Sequence, residues 1–290
     1  MIRTRPILFG ALGIVLLGVL WEAYKALGPA SGVLLGDVTI LPRTSDLAMP
    51  HVWTMFTRLG EPVLDRPGSP VLWLAVLQAA GFTLGLAAIS WLIGVVVGVG
   101  LALLMQRFRT AESALLPWVI LSQTVPLIAL APLITGIGAQ IHPPGGGRWE
   151  PWMSVVVIAS YLAFFPVAIG ALRGLNAPDR AHVELMRTYA VGWWKTLIRL
   201  RMPASVPYLL PALRLGAANA VIGAVVAEVS IGLPGGVGRM MIEYASASSG
   251  DPGKPWAPIF GAILIGLIAA GLVALLGLVL KKYRRQEVAS

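Results

Sequence analysis

Polar chemistry is scarce in this sequence, and its placement limits what the chain can do. The densest cluster lies at 173–214, RGLNAPDRAHVELMRTYAVGWWKTLIRLRMPASVPYLLPALR. There Arg173, Arg180, Arg187, Lys195, Arg199, Arg201 and Arg214 are opposed only by Asp179 and Glu184. Long hydrophobic runs flank the stretch, so it must lie outside a bilayer, and it is patterned as short helices rather than slack linker. Asn176 is placed to cap a helix whose early turn holds Pro178 and Asp179. A break is expected near Gly192, then a helical stretch over 193–200 and a stop at Pro203. A structured basic hairpin of this kind suits docking to a soluble partner.

A second group, Ser122, Gln123 and Thr124, sits in an apolar run interrupted by Pro117, Pro126 and Pro132. Prolines at that spacing bend a helix and free backbone carbonyls. A membrane tolerates this only where protein or a water-filled path satisfies them. The segment reads either as a kinked packing helix or as the lining of a pathway, with Pro126 and Asn219 as further candidates. Glu22 and Glu228 are the carboxylates within apolar runs, each near an outer end. Glu228 reads either as a carboxylate snorkelling to the interface or as a gate or helix-bridging group beside the Gly-rich GLPGGVG, so it joins the pathway candidates. Ion-coupled carriers usually keep carboxylates or broken-helix ion sites near midplane, and neither glutamate is placed there.

Catalytic constellations are missing from the sequence. His51 has no evident partner, there is no nucleophile–base pair, and no metal-ligand cluster is visible. HPPGGGRWEP at 142–151 lacks the Walker spacing and its Lys-Ser/Thr pair, so it reads as an outer turn. No metal or cofactor is expected. Energy, if used, must enter through a partner.

The elements that position these residues follow from composition. The 290 residues are 57% hydrophobic and 12% charged, with a mean hydropathy of +0.80. Several apolar runs of about 20 residues make an all-α polytopic membrane protein rather than a barrel. There is no cysteine, hence neither disulfides nor thiolate metal sites. The net charge of +9 is explained by basic residues between spans, not by nucleic acid.

Spans are expected at 7–27, within 71–105, and at 115–138, 152–172, 208–231 and 259–280. The first competes with a cleaved signal peptide, since Ala26 and Gly28 offer a small-residue site. Over 71–105 the helix is either long and tilted or lies along the interface before a span from Gly81. Gly85, Gly94, Gly98 and Gly100 suit close helix packing. The polar stretch 28–68 is placed outside, with a short interfacial helix at 51–59, and GLPGGVGRMMIEYA as a turn and short outer helix. Arg3, Arg5, Arg107, Arg109, the hairpin cations and Lys281, Lys282, Arg284 and Arg285 then share one side. That bias puts both termini in the cytoplasm.

At the hairpin the sequence resembles the permease subunits of binding-protein-dependent ABC importers. Their signature runs E-A-A, three residues, G, nine residues, I-x-L-P. Glu184 takes the E position, Ala190 falls where the Gly belongs, and Leu200-x-Met202-Pro203 matches I-x-L-P at the kept spacing. Leu185 and Met186 replace the two alanines, and Gly192 follows Ala190 by two residues, so the turn is expected to differ in detail. VPLIALAPLITGIG, AFFPVAIGALRGL, PASVPYLLPALRLG and VVAEV are similar to the nitrate/sulfonate/taurine branch, which also includes permeases for pyrimidine-type thiamine precursors. The resemblance covers most of the chain from about Val71.

The resemblance implies a type I importer permease fold in a bacterial inner membrane, with residues 1–70 forming a first span and outer loop. Residues 71–290 form the core, with the cytoplasmic coupling loop at 173–207. It implies a second permease copy in a homodimer, two ATPase subunits and an outer solute-binding protein. A small polar or anionic solute, sulfonate- or nitrate-like or a pyrimidine-type heterocycle, is expected. Pro178, Asp179, His182, Glu184, Leu185, Arg187, Thr188, Ala190, Gly192 and Pro203 are the implied ATPase-coupling residues. The competing reading of the hairpin is a basic amphipathic segment on anionic lipid, anchored by Trp193 and Trp194. A membrane scaffold and an ion-gradient carrier are the competing functions.

Overall fold

The computed structural model describes residues 4–35, 38–141 and 147–279. Expectations resting on Arg3, on His142 and on Lys281, Lys282, Arg284 and Arg285 lie outside the described residues. Among the described residues helices dominate, and five are long and apolar enough to cross a membrane, or six if one bent pair counts as a span. The chain divides into two compact units, Met1–Gln78 with Met240–Gly261, and Ala79–Arg239 with Ala262–Ser290.

In the first unit, α1 (Thr4–Leu27) is apolar on all sides and exposed along most of its length, as a lipid-facing helix should be. The stretch after it is more ordered than a polar loop. A two-stranded antiparallel ribbon, β1 (Val33–Leu35) with β2 (Val38–Leu41), leads to α2 (Val52–Arg58). Lys25 explains the order: its buried ammonium donates to the carbonyls of Thr44 and Met49 and, at 2.6 Å, to Asp46 Oδ1. That ammonium holds the exposed Asp46 carboxyl below the usual aspartate range. Glu22 accepts from the Val52 backbone N–H at 2.7 Å and pairs with His51 Nδ1 at 2.8 Å, so it caps α2. His51 is thus a structural partner of Glu22. Farther on, Arg58 pairs with Asp251 at 2.6 Å, and Leu72, Val76, Tyr244 and Ala257 form a buried cluster.

α3 (Leu72–Arg107) is one continuous helix of 36 residues with no break before Gly81, and from Ala79 onward it belongs to the second unit. α6 (Pro151–Leu175) and α9 (Met202–Ile231) pack antiparallel as the central pair. Lipid is as apolar as leucine, so helices in a membrane associate through close packing rather than the hydrophobic effect. Small residues supply that here: Gly170 faces Ala212, Gly174 faces Ser205, and Gly223 faces Ala159. Gly94 and Gly98 of α3 fit against Ala163 and Val167 of α6, whereas Gly85 and Gly100 face open space. Ser90 Oγ donates to Val156 O and Trp91 Nε1 to Leu213 O, which tie α3 to both helices. The last span is α11 (Trp256–Val279).

The expected span at 115–138 is broken. α4 (Arg109–Leu121) passes through a 3-10 turn at Ser122–Thr124 into α5 (Leu127–Gly138), with a bend of 105°. Pro126 heads α5, where its missing N–H leaves no hydrogen bond unmade.

Candidate functional site

The basic hairpin folds into α7 (Arg180–Thr188), a turn, and α8 (Trp193–Thr196). Asp179 is its N-cap, accepting from the Ala181 N–H at 3.2 Å; Asn176 instead closes the C-terminus of α6. The sequence reading chose the wrong cap because Asn and Asp serve equally well and the intervening Pro178 hid the boundary. α7 is amphipathic. Arg180, Val183, Glu184 and Arg187 recur at helical spacing and line one cleft. His182, Leu185 and Thr188 lie on other sides and are exposed, Leu185 at 53% and the following Tyr189 at 75%.

The turn keeps the geometry the glycine position demands. Ala190, with φ at +53°, holds a left-handed backbone, and among the described residues it is the one non-glycine to do so. Its N–H bonds Arg187 O and that of Val191 bonds Met186 O, which closes α7. Gly192 is extended, with φ −64° and ψ 160°. The left-handed position of the turn is thus Ala190 and not Gly192.

Pro203 does not stop the helix. From Trp193 the chain stays helical to Ile231, 39 residues, through a π-helical turn at Leu197–Arg201. Pro203 falls in the first turn of α9, and the wider turn before it accommodates the missing donor. Trp193 is half-buried: its indole N–H donates to Gln106 Oε1 at 3.2 Å, and the Arg107 guanidinium lies 5.2 Å from its ring. It ties the hairpin to the end of α3, while Trp194 is 67% exposed.

The polar candidates separate into two places. Ser122 and Thr124 donate to the carbonyls of Val119 and Leu121, and Tyr161 of α6 donates its hydroxyl to Ser122 O. Gln123 Nε2 is buried without a hydrogen-bond partner among the described residues. Asn219 Nδ2 reaches Leu162 O, so successive α6 residues hold the bend and α9. Tyr161 was missed from sequence, where a tyrosine in an apolar span carries no sign of what it touches.

Glu228 lies elsewhere. It is fully buried, which overturns the snorkelling reading in favour of the helix-bridging one. Thr83 Oγ1 of α3 donates to its carboxylate at 2.8 Å, and so does the Gly238 N–H. Thr83 Oγ1 in turn accepts from the Val237 N–H at 2.9 Å. Three segments meet at this node: α3, α9 and the start of α10 (Val237–Ser246). Gly236 is required for it, since a Cβ there would collide with the carboxylate.

Residues 92–285 match the family described as the binding-protein-dependent transport system inner membrane component. The chain is 29% identical over 290 residues to the formylaminopyrimidine transport permease protein ThiX of Halalkalibacterium halodurans, covering 98% of this chain and 99% of that protein. It is 28% identical to the putative aliphatic sulfonates transport permease protein SsuC of Bacillus subtilis, over 90% of each. A putative ABC transporter permease protein of Methanocaldococcus jannaschii is 30% identical over 84% of each. The crystal structure of an amino acid ABC transporter with histidines shares the fold at a TM-score of 0.50 and 17% identity, over 73% of this chain and 94% of that one.

Proposed function

This chain belongs to the inner membrane components of binding-protein-dependent transport systems, and from that premise we propose how it takes part in import. It is a permease subunit of an ABC importer. In our reading two copies form the path, each hairpin seats on one ATPase subunit, and both termini are cytoplasmic. An outer binding protein delivers the solute. The relatives named for formylaminopyrimidine and aliphatic sulfonates support a small polar or anionic solute. Closure of the ATPases draws the hairpins together, and the spans carry that motion as alternating access.

The observation that carries this reading is the turn at Ala190. The chain there adopts the left-handed geometry of a glycine signature although the residue is alanine. The exposed sides of α7, with His182, Leu185 and Thr188, are the surface offered to the ATPase, and Glu184 and Arg187 flank it. The bend at Ser122–Pro126, with the unpartnered Gln123 amide, is the proposed path lining together with Asn219. Glu228 acts as a brace behind that path.

The test is co-purification from detergent-solubilised membranes. Wild type should bring down an ATPase subunit, and Glu184→Arg, Leu185→Arg and a deletion of 178–189 should lose it while remaining in the membrane. Retention of the ATPase by all three variants would remove the coupling assignment.

A further inference from the structure

Four arginines share one cleft with a single acid to balance them. A cleft of about 550 Å³ is lined by Arg109 at the start of α4, by Arg180 and Arg187 on α7, and by Arg201 in the π-helical turn. Glu184 is the single carboxylate on its wall. Arg201 donates to Leu175 O at 2.7 Å and toward Asn176 Oδ1 at 3.5 Å. The side chains of Arg109, Arg180 and Arg187 make no ion pair or hydrogen bond within the described residues. Arg180 also opens α7, where a cation opposes the helix dipole. Arg109, Arg180 and Arg187 are exposed, so water screens part of their repulsion, and an anion held among them would relieve the rest.

The cleft has an apolar continuation. Asn176 lies on its wall and also on that of a second groove of about 630 Å³, which runs between α4 and α6. Leu116, Ile120, Phe165 and Ile169 line that groove, with Glu112 and Arg173 at its polar edge. The apolar runs of α6 and α9 end in basic residues on this side, the composition expected near headgroups.

We propose that this is a binding site for one anionic phospholipid, its phosphate among Arg109, Arg180, Arg187 and Arg201 and an acyl chain in the α4–α6 groove. Phosphate accepts from several guanidinium forks at once. The groove supplies the selectivity that separates a lipid from a free anion. An acidic protein segment would use the charges but leave the apolar groove empty, so the lipid is favoured. This site borders the α7 surface proposed for the ATPase and shares Glu184 and Arg187 with its edge, so its test reads lipid rather than coupling.

The experiment is binding to the purified full chain in detergent, read by native mass spectrometry and by the shift in thermal unfolding. The probes are dioleoylphosphatidylglycerol, dioleoylphosphatidylcholine and inorganic phosphate. Phosphatidylglycerol is expected to bind and raise the midpoint, and phosphatidylcholine to do neither. Arg109→Gln with Arg180→Gln should weaken phosphatidylglycerol by about tenfold or more. Ile169→Trp, which fills the groove, should weaken the lipid and leave phosphate unchanged. Equal binding of the two lipids, or no effect of the arginine pair, would overturn the proposal. Phosphate binding as tightly as the lipid, with Ile169→Trp silent, would make it a free-anion site and overturn the lipid assignment. Loss of a co-purifying ATPase with unchanged lipid binding in the arginine pair would assign the cleft to protein docking instead.

Discussion

Ala190 carries a backbone conformation that an L-residue with a Cβ adopts at a cost of roughly 1–2 kcal/mol. Ala190→Gly would remove that cost, less about 0.5–1 kcal/mol for the added freedom of the unfolded chain. A stabilisation of about 0.5 kcal/mol is expected in denaturant titration, and Ala190→Val should be destabilising. Thr83→Val tests the second residue-scale device. It leaves the Val237 N–H without its acceptor and the Glu228 carboxylate without its hydroxyl donor. Each loss costs about 1–3 kcal/mol. Amide exchange at Val237 and Gly238 should then quicken by about tenfold or more, and unchanged exchange would deny the brace. The two residues differ in how far sequence reveals them. Ala190 is found by counting from Glu184 to Pro203. Thr83 and Glu228 are 145 positions apart, and no local pattern announces that they meet.

At the scale of elements, packing rests on small residues where α6 and α9 touch. A Cβ at Gly170 lands on that of Ala212. Gly170→Val must therefore push the helices apart, at about 1–3 kcal/mol or more, and should lower the thermal midpoint. Gly100→Ala on α3, where the Cβ meets open space, should not lower it. The spans were legible because apolar length and flanking charge state them directly, and the break in the third was legible from Pro126. Pro203 misled because a proline reads identically as a helix stop and as a helix start; the π-helical turn that decides between them has no sequence signature. The order in 28–68 was hidden for another reason. It depends on Lys25 and Glu22, which look like stray charges at a helix end until the chain returns to them.

For the whole molecule, transport is the measure. In proteoliposomes containing the ATPase and binding protein, Gln123→Leu and Asn219→Leu should change solute uptake by about tenfold in rate, as loss of one or two polar contacts implies. ATPase co-purification should persist in both. Uptake unaltered across Ser122, Gln123, Thr124 and Asn219 variants would remove the bend from the path. Fold and membrane placement were legible because the bilayer imposes them on composition. The solute was not, because nothing in an apolar span records what is delivered to it.

The absence of any loop between hairpin and span has a mechanical meaning. Trp193–Ile231 is helical throughout, a rod about 58 Å long. A rod pivoted at one end magnifies small rotations: about 5° at the base sweeps the tip through about 5 Å. Near that tip stands Glu228, joined to α3 and to the first turn of α10. A flexible joint at Pro203 would have absorbed the same torque. Leverage, rather than bond breaking, is what this continuity supplies.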